Sequence, residues 1–488
     1  MSARSARPLP ESTPAAKGVD ARGVGAFLDA LEAAPGLEPH SLMIVRHGHV
    51  VASGWWAPYT PDRPHLLYSI SKSFTSTAAG FAVAEGLMSL DDPVISYFPE
   101  FDGDITDPRS RSMLVRHVAA MSSGHLTDAR EQAFTRDPAE PVRGFLLTPP
   151  DRDPGTVFAY NNAATYSLAA IVQRVTGQSL TDYLRPRLFD PLGIGETAWI
   201  QRPSGRDLGF SGMYATTDAL ARLGLLYLGD GVWEGRRLLP AAWVAEATRA
   251  QISNADGTAE GAVSDWQQGY GFQFWRSRHG YRGDGAYGQF CLVLPEHDAV
   301  VAMTTDTENM QAVLDRVWRH LLPAFGPAPL DHRQDDDAAL RRRLESLELP
   351  APYEKFTSPA GTGSGSTTFT PAGGTCADQS RLTEVTVAAD DDGVWTVSLA
   401  EGASRLDVRL GAPGWTVEEG ADGRVPTAAS GGWTDPDTFV ADIAFLETPH
   451  HFEVTCSRAD RTFTARWRTM PLHRSPLTAM GVPRRTVG

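Results

Sequence analysis

The chain has 488 residues, and its 59 aspartates and glutamates outnumber its 44 lysines and arginines, for a formal charge of −15. That acid surplus argues against nucleic acid or an anionic membrane surface as the main partner, and no run approaches the roughly 20 apolar residues of a membrane-spanning helix. Cys291, Cys376 and Cys456 lack metal-like spacing and read as buried or reduced thiols. With an N-terminus that has no apolar leader, they give a cytoplasmic protein as the expectation, with no metal and no cofactor.

Residues 1–20 are rich in Pro, Ala and Ser and read as a poorly ordered arm. "SLMIVRHGHVVASGW" is a hairpin, two apolar runs joined at "RHGH". An amphipathic helix is expected from about Ser71, closing near Gly86, and a second in "NNAATYSLAAIVQRVTG", capped by Gly177. "SLTDYLRPRLF" opens with a capping box from Ser179 to Asp182. "TTDALARLGLLYLGDG" and "PAAWVAEATRA" are further helices; "GQFCLVLPEHDAVVAMTTD" is a pair of strands, and "MQAVLDRVWRHLL" is a helix. Strands at both ends with helices between predict an α+β domain over 21–328, one antiparallel sheet flanked by a helical cluster.

Beyond it the texture changes. Residues 329–375 hold a charged stretch, "QDDDAALRRRLESLELP", and a Gly/Ser/Thr-rich loop, "TSPAGTGSGSTTFTPAGGT", and read as a linker. Residues 376–488 carry short alternating runs such as "LTEVTVAA", "VWTVSLA" and "HFEVTCS", which predict a second, all-β domain of barrel type. The adjacent histidines of "TPHHFEV" stand in a strand-like context, where a surface or cross-strand role is favoured over a metal site.

The chemistry begins with a lysine. There are three in the chain, Lys17, Lys72 and Lys355, and all other basic residues are arginine. Where arginine is the default cation, a lysine points to something a guanidinium cannot do: lose its proton and act as a base. Lys72 stands three residues after Ser69. With so few lysines a chance Ser-x-x-Lys is expected roughly 0.2 times in such a chain. Ser69 falls where a helix begins, so Lys72 lies one turn on and on the same side, which suits a hydroxyl nucleophile with an amine base. Tyr160 and Asn162, just ahead of a later helix, suit a proton relay whose tyrosine pKa is lowered by the nearby ammonium, and a hydrogen-bonding group for lysine and substrate. In "YRGDGAYGQF", Gly283, Gly285 and Gly288 enter a strand where glycine marks close approach. The backbone N–H of Ala286 could there join that of Ser69 in an oxyanion hole. No Gly-x-Ser-x-Gly elbow is present.

These three elements, in this order, resemble the serine β-lactamase and penicillin-binding-protein superfamily, specifically its class C-like branch. "EGLMSLDDPVISYFPEF", "VRHVAAMSSGH", "LRPRLFDPLGIGETAW" and "LPEHDAVVAMTT" resemble the same branch. The resemblance implies that Ser69 is acylated, that Lys72 and Tyr160 share the proton transfers, and that Asn162 orients lysine and substrate. The stretch Asp284, Gly285 and Ala286 then borders the oxyanion hole. The family commonly has Lys-Thr-Gly or His-x-Gly at this third motif, where Gly283-Asp284-Gly285 stands here. An acid in place of a cation would disfavour a substrate carboxylate, with Arg282 able to compensate. The expected function is a serine hydrolase or acyltransferase acting on a small-molecule ester, amide or peptide, with an amine as a further acyl acceptor. The alternatives are a β-lactamase or D-amino-acid-specific peptidase and, in another class, a ligand receptor that does not turn over. The C-terminal strand pattern resembles the lipocalin-like domain appended to some of these enzymes. Oligomeric state is not read from the sequence.

Overall fold

The computed structural model describes residues 7–353, 365–389, 394–411, 414–420 and 424–483. The N-terminal part is built on a six-stranded antiparallel sheet: β1 (Leu37–Arg46), β2 (His49–Trp55), β3 (Trp275–Arg276), β4 (Tyr281–Gly285), β5 (Gln289–Leu294) and β6 (Ala299–Thr307), in the spatial order β2-β1-β6-β5-β4-β3. Its central strands are apolar on both faces because both are covered. Leu42, Ile44, Leu292 and Val301 pack with helix α1 (Ala21–Glu32), through Val24, Phe27, Leu28 and Leu31. Met43, Val45, Val293 and Val300, on the other face, join the helical cluster, which includes α2 (Ser71–Ala84), α3 (Asn162–Thr176) and α4 (Thr217–Leu228).

Helix α2 departs from the amphipathic expectation. Every residue from Ser71 to Ala82 is buried, and the stretch from Ser71 to Thr77 is serine, threonine or lysine at every position but Phe74. Three of these hydroxyls are paired with neighbouring segments. Ser71 Oγ accepts from the Met213 N–H at 3.0 Å, Ser73 Oγ donates to the Gln273 carbonyl at 3.1 Å, and Thr75 Oγ1 donates to the Gly209 carbonyl at 2.8 Å. The helix that begins beside Ser69 is thus the central post of the domain.

The stretch before α1 is packed from Arg7 onward. Leu9 is buried in the main core, the Val50 N–H donates to the Pro10 carbonyl at 2.8 Å, and Ser12 N–H donates to the Val50 carbonyl at 3.0 Å. The expectation of a loose arm is corrected there: the segment covers the free edge of β2, where unpaired strand groups need a partner. Residues 1–6 lie outside the described residues.

A second sheet of nine strands follows: β7 (Ser366–Pro371), β8 (Glu384–Ala389), β9 (Trp395–Glu401), β10 (Ser404–Leu410), β11 (Thr416–Glu418), β12 (Thr427–Trp433), β13 (Thr438–Phe445), β14 (His451–Ser457) and β15 (Thr462–Trp467). Their order is β10-β9-β8-β7-β15-β14-β13-β12-β11. The end strands approach each other, with Arg409 N–H donating to Glu418 Oε2 at 3.0 Å and Gly411 N–H to Thr416 Oγ1 at 2.8 Å, so the sheet is a nearly closed barrel. The barrel begins at Ser366, inside the stretch read as linker: Phe369 is fully buried there, an alternation hidden by low-complexity neighbours. The earlier part of that loop, 354–364, lies outside the described residues. Among the described residues no helix is long and apolar enough to cross a membrane.

The two parts are joined by buried polar contacts. Glu38 of β1 is flanked by His451 of β14, at 2.8 Å, and by Arg468, at 2.5 Å, while Asp442 of β13 pairs with both of these at 2.8 and 2.5 Å. Thr469 donates to Asp306 of β6 at 2.7 Å. His450 hydrogen-bonds the Tyr68 hydroxyl, and its other ring nitrogen lies 2.9 Å from Thr469 Oγ1. The adjacent histidines therefore do not face solvent: both are completely buried at the interface. Burial holds His450 down to about 3 and His473, which lies 2.8 Å from Ser211 Oγ, down to about 4. Both are uncharged in the folded protein, whereas the unfolded chain takes up their protons near pH 6.5. Stability carried by these groups is complete above that pH and is lost as pH falls, by up to about 1.4 kcal/mol per pH unit for each histidine. Asp306, pushed up to about 7 by burial at the same interface, works in the opposite sense over this range, so the histidines are read by difference: His450→Gln should lose less stability than the wild type between pH 6.5 and 4. An unchanged slope in the variant would contradict a neutral, buried His450.

Candidate active site

Ser69 sits in a 3₁₀ turn, Tyr68–Ile70, that runs directly into α2. Tyr68 adopts φ 47°, a left-handed conformation that a bulky residue takes only under constraint. The constraint is visible: the Tyr68 ring is fully buried and stacks on His473 at 5.8 Å, and its hydroxyl is held by His450. One residue before the candidate nucleophile, the chain is thus clamped by the C-terminal barrel.

Lys72 lies one turn into α2, 2 % exposed. Its Nζ is 3.0 Å from Ser69 Oγ, 2.8 Å from Asn162 Oδ1 and 2.8 Å from the Phe210 carbonyl. Burial is the largest influence on its titration and lowers it to about 7, against the pull of Asp128 and Asp284. As an ammonium the group donates to all three oxygens. As a neutral amine it spends its two hydrogens on the two carbonyl acceptors, which cannot donate, and its lone pair is left facing the Ser69 hydroxyl.

Tyr160 and Asn162 are brought to the same point by the start of α3. The doublet before that helix divides its work: Asn161 is the N-cap, accepting from Ala163 N–H at 3.1 Å and Ala129 N–H at 3.2 Å, which leaves Asn162 free to face Lys72. Asn162 is itself fixed by Asp128, which accepts from its backbone N–H at 2.8 Å and from Nδ2 at 2.7 Å. That second bond decides which end of the amide meets Lys72, because a carboxylate can only accept. Asp128 is a residue that sequence reasoning misses. It stands in a loop 34 residues from Asn162, with no local pattern to mark it.

The Tyr160 ring is stacked on Trp275 at 5.2 Å, with Lys72 Nζ 4.7 Å from the ring centroid. The expectation that the lysine would lower its pKa is not met. Burial is the dominant influence and raises the phenol well above its ordinary value, Asp284 adds to this, and a hydrogen bond with Ser69 offsets only part. Tyr160 therefore stands in the site as a neutral phenol.

Asp284 and Gly285 lie on β4, with Ala286 in the hairpin that leads to β5. A Cβ at Gly285 would stand 2.1 Å from the Leu67 carbonyl and one at Gly283 2.6 Å from Ser73 Oγ, so these glycines let the strand press against the start of α2. Ala286 packs beside Tyr68 and Leu66. Asp284 does not stand as a free acid before a substrate. It is buried against Arg282, whose Nε donates to it at 3.0 Å, and Arg282 is itself fully buried between Trp266 and Trp275. Burial pushes the Asp284 carboxyl up, with Arg282 pulling it back. The compensation by Arg282 is thus an internal ion pair.

Among the described residues, Glu38, His40 and His451 bring metal-capable atoms within 4.8 Å of one another. Arg468 and Asp442 already pair with this group, and it lies at the domain interface, apart from Ser69 and Lys72. The buried ion pairs account for it without a metal.

A protein-family model described as Beta-lactamase matches residues 26–324. The 6-aminohexanoate-dimer hydrolase of Paenarthrobacter ureafaciens is 31% identical over 280 residues, covering 54% of this chain and 71% of that protein. The lovastatin esterase of Penicillium rubens is 29% identical over 167 residues, 30% of this chain and 42% of that one. Among solved structures, a putative 6-aminohexanoate-dimer hydrolase from Bacillus anthracis superposes with a TM-score of 0.53 at 19% identity, over 64% of this chain and 87% of that one. With its antiparallel sheet, its buried helix α2 and this match over more than half its length, the chain belongs to the Beta-lactamase family.

Proposed function

We propose that this protein is a serine hydrolase or acyltransferase of the class C β-lactamase-like type, acting on small esters or amides through an acyl-enzyme on Ser69. The observation that carries the reading is the environment of Lys72: a buried amine with two carbonyl acceptors and one hydroxyl, tuned to about 7. That arrangement suits a general base at neutral pH. The relatives in the family include a 6-aminohexanoate-dimer hydrolase and a lovastatin esterase, and acyl-group cleavage is the chemistry such a base would serve.

In this reading the Ser69 oxygen attacks the carbonyl carbon while its proton passes to the Lys72 lone pair. The N–H groups of Ser69 and Ala286 receive the oxyanion. Collapse breaks the bond to the leaving group, which takes a proton from Tyr160; Lys72 then reprotonates Tyr160. Water or an amine attacks the acyl-enzyme by the reverse path, giving a free acid or an amide and restoring Ser69. Asn162 and Asp128 hold the amine in register throughout. The buried Asp284 carboxylate supplies negative potential near Lys72 and Tyr160, which keeps the tyrosine protonated between transfers. The barrel, lipocalin-like in its strand pattern, serves as a wall and brace for the site.

Ser69→Ala should abolish turnover and labelling by a fluorophosphonate probe while leaving the melting curve intact; a labelled variant would place the nucleophile elsewhere. Lys72→Arg keeps the charge but removes the base, and should slow acylation by at least about a hundredfold in single-turnover assays. Retention of more than about a tenth of the rate would leave Lys72 an electrostatic anchor and refute it as the base.

Asp128→Asn tests the positioning chain. Removing that negative charge lowers the pKa of Lys72, so the acidic limb of the pH–rate profile should move down by up to about one unit. The freed Asn162 amide should also lower kcat by about tenfold. A limb that stays in place or moves up would contradict the role given to Asp128.

A further inference from the structure

The wall of the site next to Lys72 carries charges that the reaction above does not use. Phe210, whose carbonyl accepts from Lys72 and whose ring centroid lies 5.7 Å from Nζ, also lines a cavity of about 370 Å³. Arg130, Arg202 and Arg474 line the same cavity, with Leu472 and His473. None of the three arginines is in an ion pair among the described residues, whereas Arg143, Arg174, Arg187 and Arg206 are each matched to a carboxylate. Glu131 is the one acid of the lining, so positive charge remains in excess.

All three side chains are exposed around the mouth of the cavity, and two of them lie close enough to act on the groups of the site. The charge of Arg130 reaches Lys72, and those of Arg130, Arg202 and Lys72 all reach His473. Their attachment points are fixed by residues of the site itself. Arg130 N–H donates to Asp128 Oδ1 at 3.0 Å, the same oxygen that receives the Asn162 N–H. Arg474 follows His473, which is buried, bonded to Ser211 and stacked on Tyr68. Arg130 and Arg202 belong to the N-terminal part and Arg474 to the C-terminal part, so the cavity exists only when both are assembled.

Three like charges around the mouth of one cavity give it a positive potential, and an anion there can accept forked, charge-assisted hydrogen bonds from them. The apolar sides of Phe210 and Leu472 fit a hydrocarbon spacer between the anion and the reacting carbonyl. On the third-motif side, by contrast, Arg282 is committed to Asp284 and offers no free cation. We infer that this cavity is an anion subsite, and that the substrate is an ester or amide bearing a carboxylate on a short aliphatic chain, in its acyl part or in its leaving group. The inference rests on the reading of Ser69 as a turnover nucleophile, and its test separates the two.

The full-length protein is given two ester series. In one, p-nitrophenyl esters of equal length end in methyl, carboxylate or trimethylammonium; in the other, butyrate esters carry plain or carboxylated phenols. In at least one series the carboxylate should be preferred over its neutral counterpart by at least about tenfold in kcat/KM, less so at high salt. Arg130→Glu and Arg474→Glu should each cut that ratio by about fivefold or more and raise the ratio for the cationic ester. A general loss of activity leaves such ratios unmoved. Ratios near one in both series, or ratios unaltered in both variants, overturn the subsite. Glutarate binding, read by calorimetry, needs no turnover: it should be detectable in the wild type and lost in Arg130→Glu. If no ester is turned over but glutarate binding depends on Arg130, the subsite stands and the hydrolase reading falls. Glutarate that binds neither protein, or both equally, overturns the subsite.

Discussion

A buried ammonium is costly, and the site is arranged around that cost. Lys72 is out of water, so its charged form is destabilised, while Asn162 and the Phe210 carbonyl favour the proton and Asp128 and Asp284 pull in the same direction. The opposed influences leave the amine near neutrality, where a small shift in potential moves the proton on or off. Each neighbour has its own support: Asn162 is held by Asp128, Asp284 by Arg282, Tyr160 by Trp275, and Ser69 by the clamped Tyr68. An arginine could not be placed in this balance, because it does not release its proton at such a pH.

The parts of this site that can be read in the sequence are those whose residues lie within one turn of a helix. Ser69 and Lys72 are three apart across the start of one helix, and Tyr160 and Asn162 flank the start of another, so local geometry keeps each pair close together. The sheet is legible for a similar reason: apolar runs such as "CLVLPEHDAVVAM" have a hairpin as their simplest solution. The scarcity of lysine adds a signal of a different kind, since composition alone makes Lys72 stand out.

What escapes depends on contacts between segments far apart in the chain. Nothing near Asp128 shows that it meets Asn162, and nothing near His450 shows that it meets Tyr68. The hydroxyl-rich helix α2 reads as amphipathic because serine and threonine count as polar, whereas here they are buried, and Ser71, Ser73 and Thr75 pair with neighbouring segments. The compensation of Asp284 by Arg282 can be read from their spacing, but that the pair is buried and turned away from a substrate cannot, because the layer that covers it comes from distant segments. The barrel has the same character. Its strands can be counted, but its bearing on the site, through His450, His473 and Met470, lies in long-range contacts to Tyr68, Ser211 and Tyr287. The charges at that interface, half-buried Glu38 and buried Asp442 against buried His451 and half-buried Arg468, favour one docking of the two parts over others, since a misplaced barrel would leave them unpaired.

The protonation of Lys72 can be observed directly because the chain has only three lysines. In protein labelled with ¹³C at the lysine ε-carbon, each lysine gives one methylene signal whose shift reports its charge, and Lys72→Met identifies the one from the site. The signal lost in that variant should titrate at about 7 in the resting protein. If the Lys72 signal instead stays that of an ammonium through pH 9, the lysine cannot be the neutral base that the proposed chemistry requires.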